Sequence, residues 1–208
     1  YAYDVMGNRL TKTRDGLIPS FRYAPGHLLL GNIAQAGSRT TYSNAKNGNR
    51  LTEQNPAGTT TFTWAPENVL VGVVGPDGVA TTNVYAPNGQ RRQSSTGAES
   101  TIFTWVGENI LRELARVGVQ QALNIGTPDE MRSLIAMQRG ASSYVASLDT
   151  QGNVRNLVDG SGAVTDSYLA TSYGEEIASR GSTINPYQYE GVWGYHRDAV
   201  NRLLVRNR

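Results

Sequence analysis

The chain has 208 residues, of which 38% are hydrophobic and 17% charged, with 23 glycines and no cysteine. So low a charged fraction, with abundant Gly, Thr, Ser and Asn, is typical of exposed strands and tight turns, and the length allows one large or two small β domains. The net charge of +2 is too small to indicate nucleic-acid binding. The lack of cysteine excludes disulfides and thiolate metal sites. No apolar run approaches the roughly 18 residues of a membrane-spanning helix.

The first half of the chain repeats with a period of 41 residues. The tetrapeptide Gly7-Asn8-Arg9-Leu10 returns as Gly48-Asn49-Arg50-Leu51 and, altered, as Gly89-Gln90-Arg91-Arg92. A second motif keeps the same period, in Phe21-Arg22-Tyr23, Phe62-Thr63-Trp64 and Phe103-Thr104-Trp105. Two unrelated motifs that share one period indicate tandem duplication.

Each repeat divides again into units of about 20 residues. Their shared mark is an aromatic residue followed, four positions later, by a residue that accepts positive φ. The aromatic positions are Tyr3, Tyr23, Trp64, Tyr85 and Trp105, with Asn44 at the remaining one. The turn positions are Gly7, His27, Gly48, Asn68, Gly89 and Asn109. The pattern predicts a β-hairpin every 20 residues, and therefore a mainly β fold of repetitive antiparallel hairpins.

Alternation within Thr60–Trp64 predicts that Phe62 and Trp64 share one strand face and that Thr61 and Thr63 share the other. Further turn signals fall between the main turns. They are Asp15-Gly16, Pro56-Ala57-Gly58, Pro76-Asp77-Gly78 and Thr96-Gly97. They predict the turns that close the alternate ends of the hairpins.

The period blurs between residues 112 and 146, where two interpretations stay open. Residues 127 to 135 could begin a helix, with Thr127 as N-cap, Pro128 at the first helical position and Glu130 completing a capping box. Alternatively, Pro128-Asp129 is a turn, and Leu134 to Met137 is a strand before a turn at Arg139-Gly140. The repeat favours the strand, because local propensity usually yields to a consistent global pattern. Turn-rich segments resume at 149–154, 159–162, 168–174 and 185–191.

Two stretches resemble the RHS/YD-repeat family. Residues 1–10, Tyr-Ala-Tyr-Asp-Val-Met-Gly-Asn-Arg-Leu, resemble its tyrosine–aspartate repeat, and residues 143–208 resemble its RHS-associated core segment. We therefore predict a structural repeat signature whose residues are Tyr3, Asp4, Gly7, Asn8, Arg9, Gly48, Asn49, Arg50, Trp64, Tyr85, Gly89, Trp105, Asp149, Gly152, Asn153, Tyr173, Gly174, Asn185, Pro186, Tyr189 and Gly191.

The resemblance implies a hairpin strip that spirals into a hollow β-shell, of the kind found in polymorphic toxins, insecticidal toxin-complex subunits and teneurins. It divides the chain into degenerate repeats at 1–111 and a core segment at 112–208. It implies a secreted or cell-surface structural protein that encloses or presents a C-terminal effector domain. The partners it implies are neighbouring repeats of the same polypeptide, an enclosed toxin domain, or a cell-surface glycan or receptor.

The sequence also departs from the family pattern. The aspartate of the signature, Asp4, is replaced by Ala45 and Ala86 at the equivalent positions. The chain stops at Arg208, before the closing and self-cleaving segment that the family carries, so we expect a fragment without autoproteolytic aspartates.

No catalytic set emerges from the remaining residues. The two histidines, His27 and His196, have no marked nucleophile, and Ser161 lacks the nucleophile-elbow pattern. The carboxylates that could pair for glycoside hydrolysis or hold calcium are Asp149, Asp159, Asp166, Glu175 and Glu176. Asp77, Asp149 and Asp159 each precede glycine within three residues, so we expect them to hydrogen-bond the turn backbone. We predict no enzyme activity, cofactor or metal.

Two readings stay open for the exposed features of the chain. In an adhesive or carbohydrate-binding module, Phe62 with Trp64 and Phe103 with Trp105 would bind sugar rings; in a scaffold they would be buried between repeats.

The basic tail could contact an acidic partner or could simply be an end strand, since leucines and a valine interrupt its arginines. Those arginines are Arg197, Arg202, Arg206 and Arg208.

Overall fold

The computed structural model describes residues 1–13, 18–34, 37–127, 134–198 and 202–205. They form 20 strands and one short 3-10 helix, Gly191–Trp193. The strands are β1 (Ala2–Tyr3), β2 (Arg9–Thr11), β3 (Ser20–Ala24), β4 (Leu28–Ile33), β5 (Arg39–Asn44), β6 (Arg50–Asn55), β7 (Gly58–Trp64), β8 (Leu70–Val74), β9 (Ala80–Tyr85), β10 (Arg91–Thr96), β11 (Glu99–Val106), β12 (Asn109–Ala115), β13 (Gln120–Gly126), β14 (Leu134–Arg139), β15 (Ser142–Leu148), β16 (Val154–Asp159), β17 (Val164–Ala170), β18 (Glu176–Arg180), β19 (Tyr195–Arg197) and β20 (Leu203–Val205).

The chain forms two compact units, Tyr1–Thr82 and Asn83–Arg208. In each unit the sheet strands run antiparallel to their neighbours in sequence, so consecutive hairpins build the sheet. The predicted fold class, mainly β with repetitive antiparallel hairpins, is confirmed. The predicted boundary between the degenerate repeats and the core segment, at residues 111 and 112, falls inside β12 of the second unit. This boundary separates two types of repeat rather than two compact units, and it stays a prediction.

The main hairpin turns share one five-residue geometry. The first residue donates its N–H to the fifth carbonyl, and the fourth donates to the first carbonyl, at 2.7 Å and 2.9 Å in the turn from Ala45 to Asn49. The fourth residue has positive φ, 89° at Gly48, and the ladder shifts register just after the turn. This is the three-residue loop with a G1 bulge, in which the left-handed position favours glycine. Positive φ at the predicted positions Gly7, His27, Gly48, Asn68 and Gly89 is confirmed.

The turn predicted at Asn109 is wrong. Asn109 begins β12 and pairs with Val106, so the loop before it contains only two residues, Gly107 and Glu108. Gly107 takes a φ of 58°, which lets the chain reverse two residues earlier than the repeat predicts. A glycine at the start of a short loop therefore overrides the spacing of the aromatic positions.

The minor turns at Pro56-Ala57, Pro76-Asp77-Gly78 and after Thr96 are confirmed, whereas Asp15-Gly16 lies outside the described residues. Most of the possible helix and the Pro128-Asp129 turn also lie outside them, in 128–133. Leu134 and Ile135 are described, and they lie in β14 as the strand interpretation predicts. The turn at Gly140 follows directly after β14.

The first unit is a sheet with a thin core. Phe62 and Val73, which pair across β7 and β8, are its buried hydrophobic residues in the part of that unit that the structure describes. In β7 the residues alternate as predicted: Phe62 is buried and Trp64 half-buried, whereas Thr61 and Thr63 are exposed. A hairpin sheet with so little buried apolar area depends on its neighbours for stability, as repeat proteins do.

The second unit has a larger core because its C-terminal segment lies across its sheet. One cluster joins Leu134, Met137, Val154 and Leu157 from the strands to Tyr187 from that segment. A second cluster packs Leu204 of β20 against Phe103 and Ile110. The segment from Asn185 onward therefore covers one face of the hairpin sheet. We call it the closing segment; it is distinct from the family's self-cleaving segment.

Candidate functional site

The tyrosine–aspartate signature contains a side-chain brace within the hairpin turn. Asp4 accepts hydrogen bonds from the backbone N–H of Met6 at 2.9 Å and of Asn8 at 2.8 Å, and Asn8 Nδ2 donates to its second carboxylate oxygen at 2.8 Å. These bonds lower the pKa of Asp4, the side-chain bond from Asn8 being the largest cause. The aspartate at the start of the loop thus bonds the backbone N–H groups that the tight turn leaves unpaired, and the asparagine at its end holds the carboxylate in place.

Asp149 and Asn153 repeat this brace in the second unit. Asp149 accepts from the N–H of Gln151 at 3.0 Å and of Asn153 at 2.9 Å, and from Asn153 Nδ2 at 2.9 Å. Asp159 bonds the N–H groups of Ser161 and Ala163 in the same way. The prediction that these aspartates bond the turn backbone is confirmed, as it is for Asp77, which accepts from Val79 at 3.0 Å.

The signature arginines stack on aromatic rings. The guanidinium carbon lies 4.3 Å from the Phe21 ring centre for Arg9, 3.7 Å from Tyr42 for Arg50, and 5.7 Å from Tyr85 for Arg91. Each contact joins the start of one strand to an aromatic residue of an adjacent strand. Such cation–π contacts are worth about 0.5–1 kcal/mol at exposed sites and more when desolvated, so the arginines hold neighbouring strands together.

The two signature tryptophans make the same hydrogen bond one period apart. Trp64 Nε1–H donates to the carbonyl of Arg50, and Trp105 Nε1–H to the carbonyl of Arg91, both at 2.7 Å. Both indoles are half-buried, and Trp105 packs against the Phe103 cluster. The polar edges of both rings are therefore bonded within the protein.

The remaining signature residues meet where the closing segment docks on the Asp149–Asn153 turn. The Asn153 carbonyl-type oxygen Oδ1 accepts from the N–H of Glu190 at 2.9 Å, and the carbonyl of Gly152 accepts from Val192 at 3.1 Å. Within the segment, Asn185 Oδ1 accepts from the N–H of Tyr187 at 2.9 Å. One turn thus holds both its own backbone and the segment that covers the core.

Two features of this docking each require glycine at position 152. Its φ is 89°, and a Cβ there would collide with the side chains of Val192 and Trp193. Gly174 permits a similar approach, since a Cβ would lie 2.8 Å from the ring of Tyr189. Tyr189 then donates its hydroxyl to the carbonyl of Ser172 at 3.1 Å, next to the signature residue Tyr173. The two glycine turns are thus shaped to receive the closing segment.

A buried ionic cluster lies beneath that segment. Arg139 donates twice to Glu113, at 2.8 and 2.9 Å, and Nε2 of His196 lies 3.5 Å from the same carboxylate. The His196 ring is edge-on to Phe103 and Tyr187, with centroids 5.6 and 5.3 Å away. Burial raises the pKa of Glu113, but His196 and the Arg139 guanidinium outweigh it and bring that pKa down to about 2.

A second buried ion pair and a cleft adjoin this cluster. Arg91 Nη1 lies 3.2 Å from Asp198 Oδ2, with both side chains at most 5% exposed. The cleft has a volume of about 340 Å³ and is bordered by Glu113, Arg139, His196 and Asp198. Arg139 neutralises Glu113 and Arg91 neutralises Asp198, so both ion pairs are balanced within the fold.

Several candidate catalytic residues make hydrogen bonds with nearby polar groups. His27 is exposed in its turn, where Nδ1 lies 2.7 Å from Asn8 Oδ1, and Ser161 Oγ donates to Asp159. Asp166 is buried and bonded by Thr165 Oγ1 and by the N–H and hydroxyl of Thr183. In the described ranges, no group of three or more His, Cys, Asp or Glu could hold a metal ion, and no helix is long and apolar enough to span a membrane.

Glu175 and Glu176 belong to the region of one hairpin turn, where the Glu175 N–H donates to Thr171 Oγ1 at 3.2 Å and Glu176 begins β18. Arg197 lies in β19 and donates to the carbonyl of Gly174, and Arg202 bonds Asp198 through its backbone N–H. The other two arginines of the basic tail lie outside the described residues. Both described arginines of the tail thus contribute bonds within the unit.

Sequence reasoning missed the buried cluster of Glu113, Arg139 and His196. These residues are far apart in sequence, and each is a polar type that is common on the exposed face of a strand. The available signal is the register of β12, in which Ile110 and Glu113 both point inward because Leu111 between them is bulged. The sequence does not reveal that bulge, and so it does not reveal the buried charge.

No family model matches the sequence, and no curated protein does. Among solved structures, the chain is similar to a Photorhabdus luminescens Tc holotoxin pore, with 12% identity and a TM-score of 0.51 over 98% of this chain and 14% of that one. It is likewise similar to the TcdB2-TccC3-Cdc42 and TcdB2-TccC3 crystal structures, with 12% identity, TM-scores of 0.51 and 0.50, and 98% and 100% of this chain covered. The chain spans about one seventh of those chains. The resemblance to the RHS/YD-repeat family, predicted from the motifs, is thereby confirmed at the level of the fold.

Proposed function

We propose that this chain is a structural segment of an RHS/YD-repeat shell, and that the shell encloses or presents an effector domain. The supporting observation is that signature residues brace the hairpin turns and dock the closing segment. Asp4 and Asp149 bond the N–H groups of their own turns, and Asn153 accepts from the N–H of Glu190 in the closing segment. The shared fold with toxin-complex proteins supports the same proposal. The segment has no catalytic role in it, and the protein acts outside the cell that makes it.

Replacing each of the two tryptophans by alanine distinguishes a structural segment from a sugar-binding module. In a scaffold, Trp105→Ala removes a half-buried ring and a hydrogen bond to the Arg91 carbonyl, so it should cost about 2–4 kcal/mol of unfolding free energy. Trp64→Ala should act in the same direction. Urea denaturation measures both, and a glycan array measures binding by the wild-type chain and the variants.

Opposite outcomes separate the two functions. A scaffold predicts large losses of stability with no glycan bound by the wild-type chain. A sugar platform predicts that Trp105→Ala keeps the unfolding free energy within about 0.5 kcal/mol, as surface substitutions do, and abolishes glycan binding. The second result would contradict the proposal.

A further inference from the structure

The side-chain amide of Asn124 has one polar atom to spare inside the second unit. Asn124 lies in β13 and is buried. Its Nδ2 donates to the carbonyl of Ile110 at 3.2 Å and to the hydroxyl oxygen of Tyr187 at 3.1 Å. The other amide atom, Oδ1, is buried and accepts no hydrogen bond from the residues that the structure describes. Buried polar atoms in native proteins nearly always have a partner, so Oδ1 needs a donor.

The carbonyl of Ile110 fixes the orientation of this amide. A carbonyl oxygen only accepts hydrogen bonds, so the amide atom 3.2 Å from it must be the NH2 group. Exchanging the two amide atoms of Asn124 would place two oxygens against each other there, and it would leave the NH2 group without an acceptor instead. Oδ1 is therefore the atom that lacks a partner.

Tyr187 of the closing segment supplies the complementary group. Its hydroxyl oxygen accepts from Asn124, and the hydroxyl donates to no acceptor in the described part of the chain. Burial raises the pKa of Tyr187 well above its ordinary value, so the hydroxyl keeps its proton. Two side chains that touch each other thus hold one buried donor and one buried acceptor that remain to be bonded.

Asn124 and Tyr187 both border one small cavity. Its volume is about 20 Å³, and its walls also include Ile110 of β12 and two glycines of the closing segment, Gly191 and Gly194. A cavity must measure at least about 10–15 Å³ in this way to hold a water molecule. The space therefore admits one water and excludes larger ligands.

We propose that this cavity binds one water molecule, which accepts from the Tyr187 hydroxyl and donates to Asn124 Oδ1. The two groups select water among small ligands. A chloride ion only accepts hydrogen bonds and an ammonium ion only donates them, so neither can bond both groups, and an apolar molecule bonds neither. The bound water links the closing segment to the sheet of the second unit, and its site does not depend on the shell proposed above.

High-resolution crystallography of the chain tests the site directly. We expect one density peak in the cavity, about 2.5–3.0 Å from both Tyr187 Oη and Asn124 Oδ1. Neutron diffraction should place the hydroxyl deuterium of Tyr187 toward that peak and one deuterium of the water toward Oδ1. The wild-type density decides the question even where a variant fails to fold.

Asn124→Leu keeps the approximate size of the side chain but removes Oδ1, which leaves the water a single partner beside a more apolar wall. The peak should therefore disappear in this variant. Asn156→Leu is the matched control, because Asn156 is a partly buried strand residue that bonds Ser167 and does not border the cavity. It should leave the peak in place.

Four results would overturn the proposal. They are a wild-type cavity without density, a peak within hydrogen-bond distance of only one of the two atoms, a Tyr187 hydroxyl that donates directly to a protein oxygen, and a peak that persists in Asn124→Leu.

Discussion

The buried pair of Arg139 and Glu113 gives the sharpest test of the packing in the second unit. Arg139→Met keeps much of the side-chain volume but removes two charge-assisted hydrogen bonds of 2.8 and 2.9 Å. Glu113 is then left as a buried charge, since its side chain is only 8% exposed. Removing one partner of a buried pair typically costs about 3–5 kcal/mol. Because His196 remains 3.5 Å away and the cleft adjoins the site, we expect the low end, about 3 kcal/mol.

Urea denaturation at neutral pH measures this loss. With a slope of about 2 kcal/mol per molar urea, a loss of about 3 kcal/mol lowers the midpoint by roughly 1.5 M. Arg112→Met is the matched control, because Arg112 lies one residue from Glu113 on the same strand but is exposed. The control should stay within about 0.5 kcal/mol of wild type.

A double variant shows whether the two residues act through each other. Glu113→Gln removes the charge that Arg139→Met strands, so the double variant should lose at least about 1 kcal/mol less than the sum of the two single losses. Equal effects of Arg139→Met and Arg112→Met, or strictly additive losses in the double variant, would refute the assignment of this pair to the buried core.

Three further outcomes follow from the same structure. Gly48→Ala should lower the unfolding free energy by about 1–2 kcal/mol, measured by urea denaturation, because φ of Gly48 is 89°. Gly160→Ala, also in open space but without positive φ, should be neutral or stabilising. Equal effects of the two substitutions would contradict the turn assignment. Because the pKa of Glu113 is lowered from 4.5 to about 2, its stabilisation is complete above about pH 4.5 and is lost as the pH falls toward 2. Glu113→Gln should therefore flatten the fall of unfolding free energy over that range, and an unchanged slope would contradict it. Trp105→Phe should cost about 1 kcal/mol by removing the bond to the Arg91 carbonyl, and no change in the urea midpoint would argue against that bond.

The turns could be predicted from the sequence because their chemistry is local. Gly7, Gly48 and Gly89 take positive φ at the positions that their spacing predicts. Asp149 bonds the N–H groups of its own loop, which lie only two and four residues away. A five-residue stretch contains everything that such a turn needs, so reading it requires no knowledge of the rest of the fold.

The closing assembly could not be predicted in its geometry. The motif around Asn185 and Pro186 identifies a segment, but it does not say that Glu190 bonds Asn153 or that Tyr187 enters the core beside Leu157. These contacts join residues about 30 or more positions apart and depend on bulges that shift strand register. Asn109 shows the same effect on a small scale, since one glycine moves a turn by two residues.

We propose that residues 1–208 are a structural segment in the wall of a shell, and cryo-electron microscopy of the natural polypeptide that contains them tests this proposal most directly. We expect consecutive hairpins of this segment in the wall of an enclosed cavity, with the signature turns of Gly48 and Gly152 within that wall and the closing segment docked as described. A segment that stands apart as a separate module, with ligand density on the faces of Trp64 and Trp105, would contradict the claim.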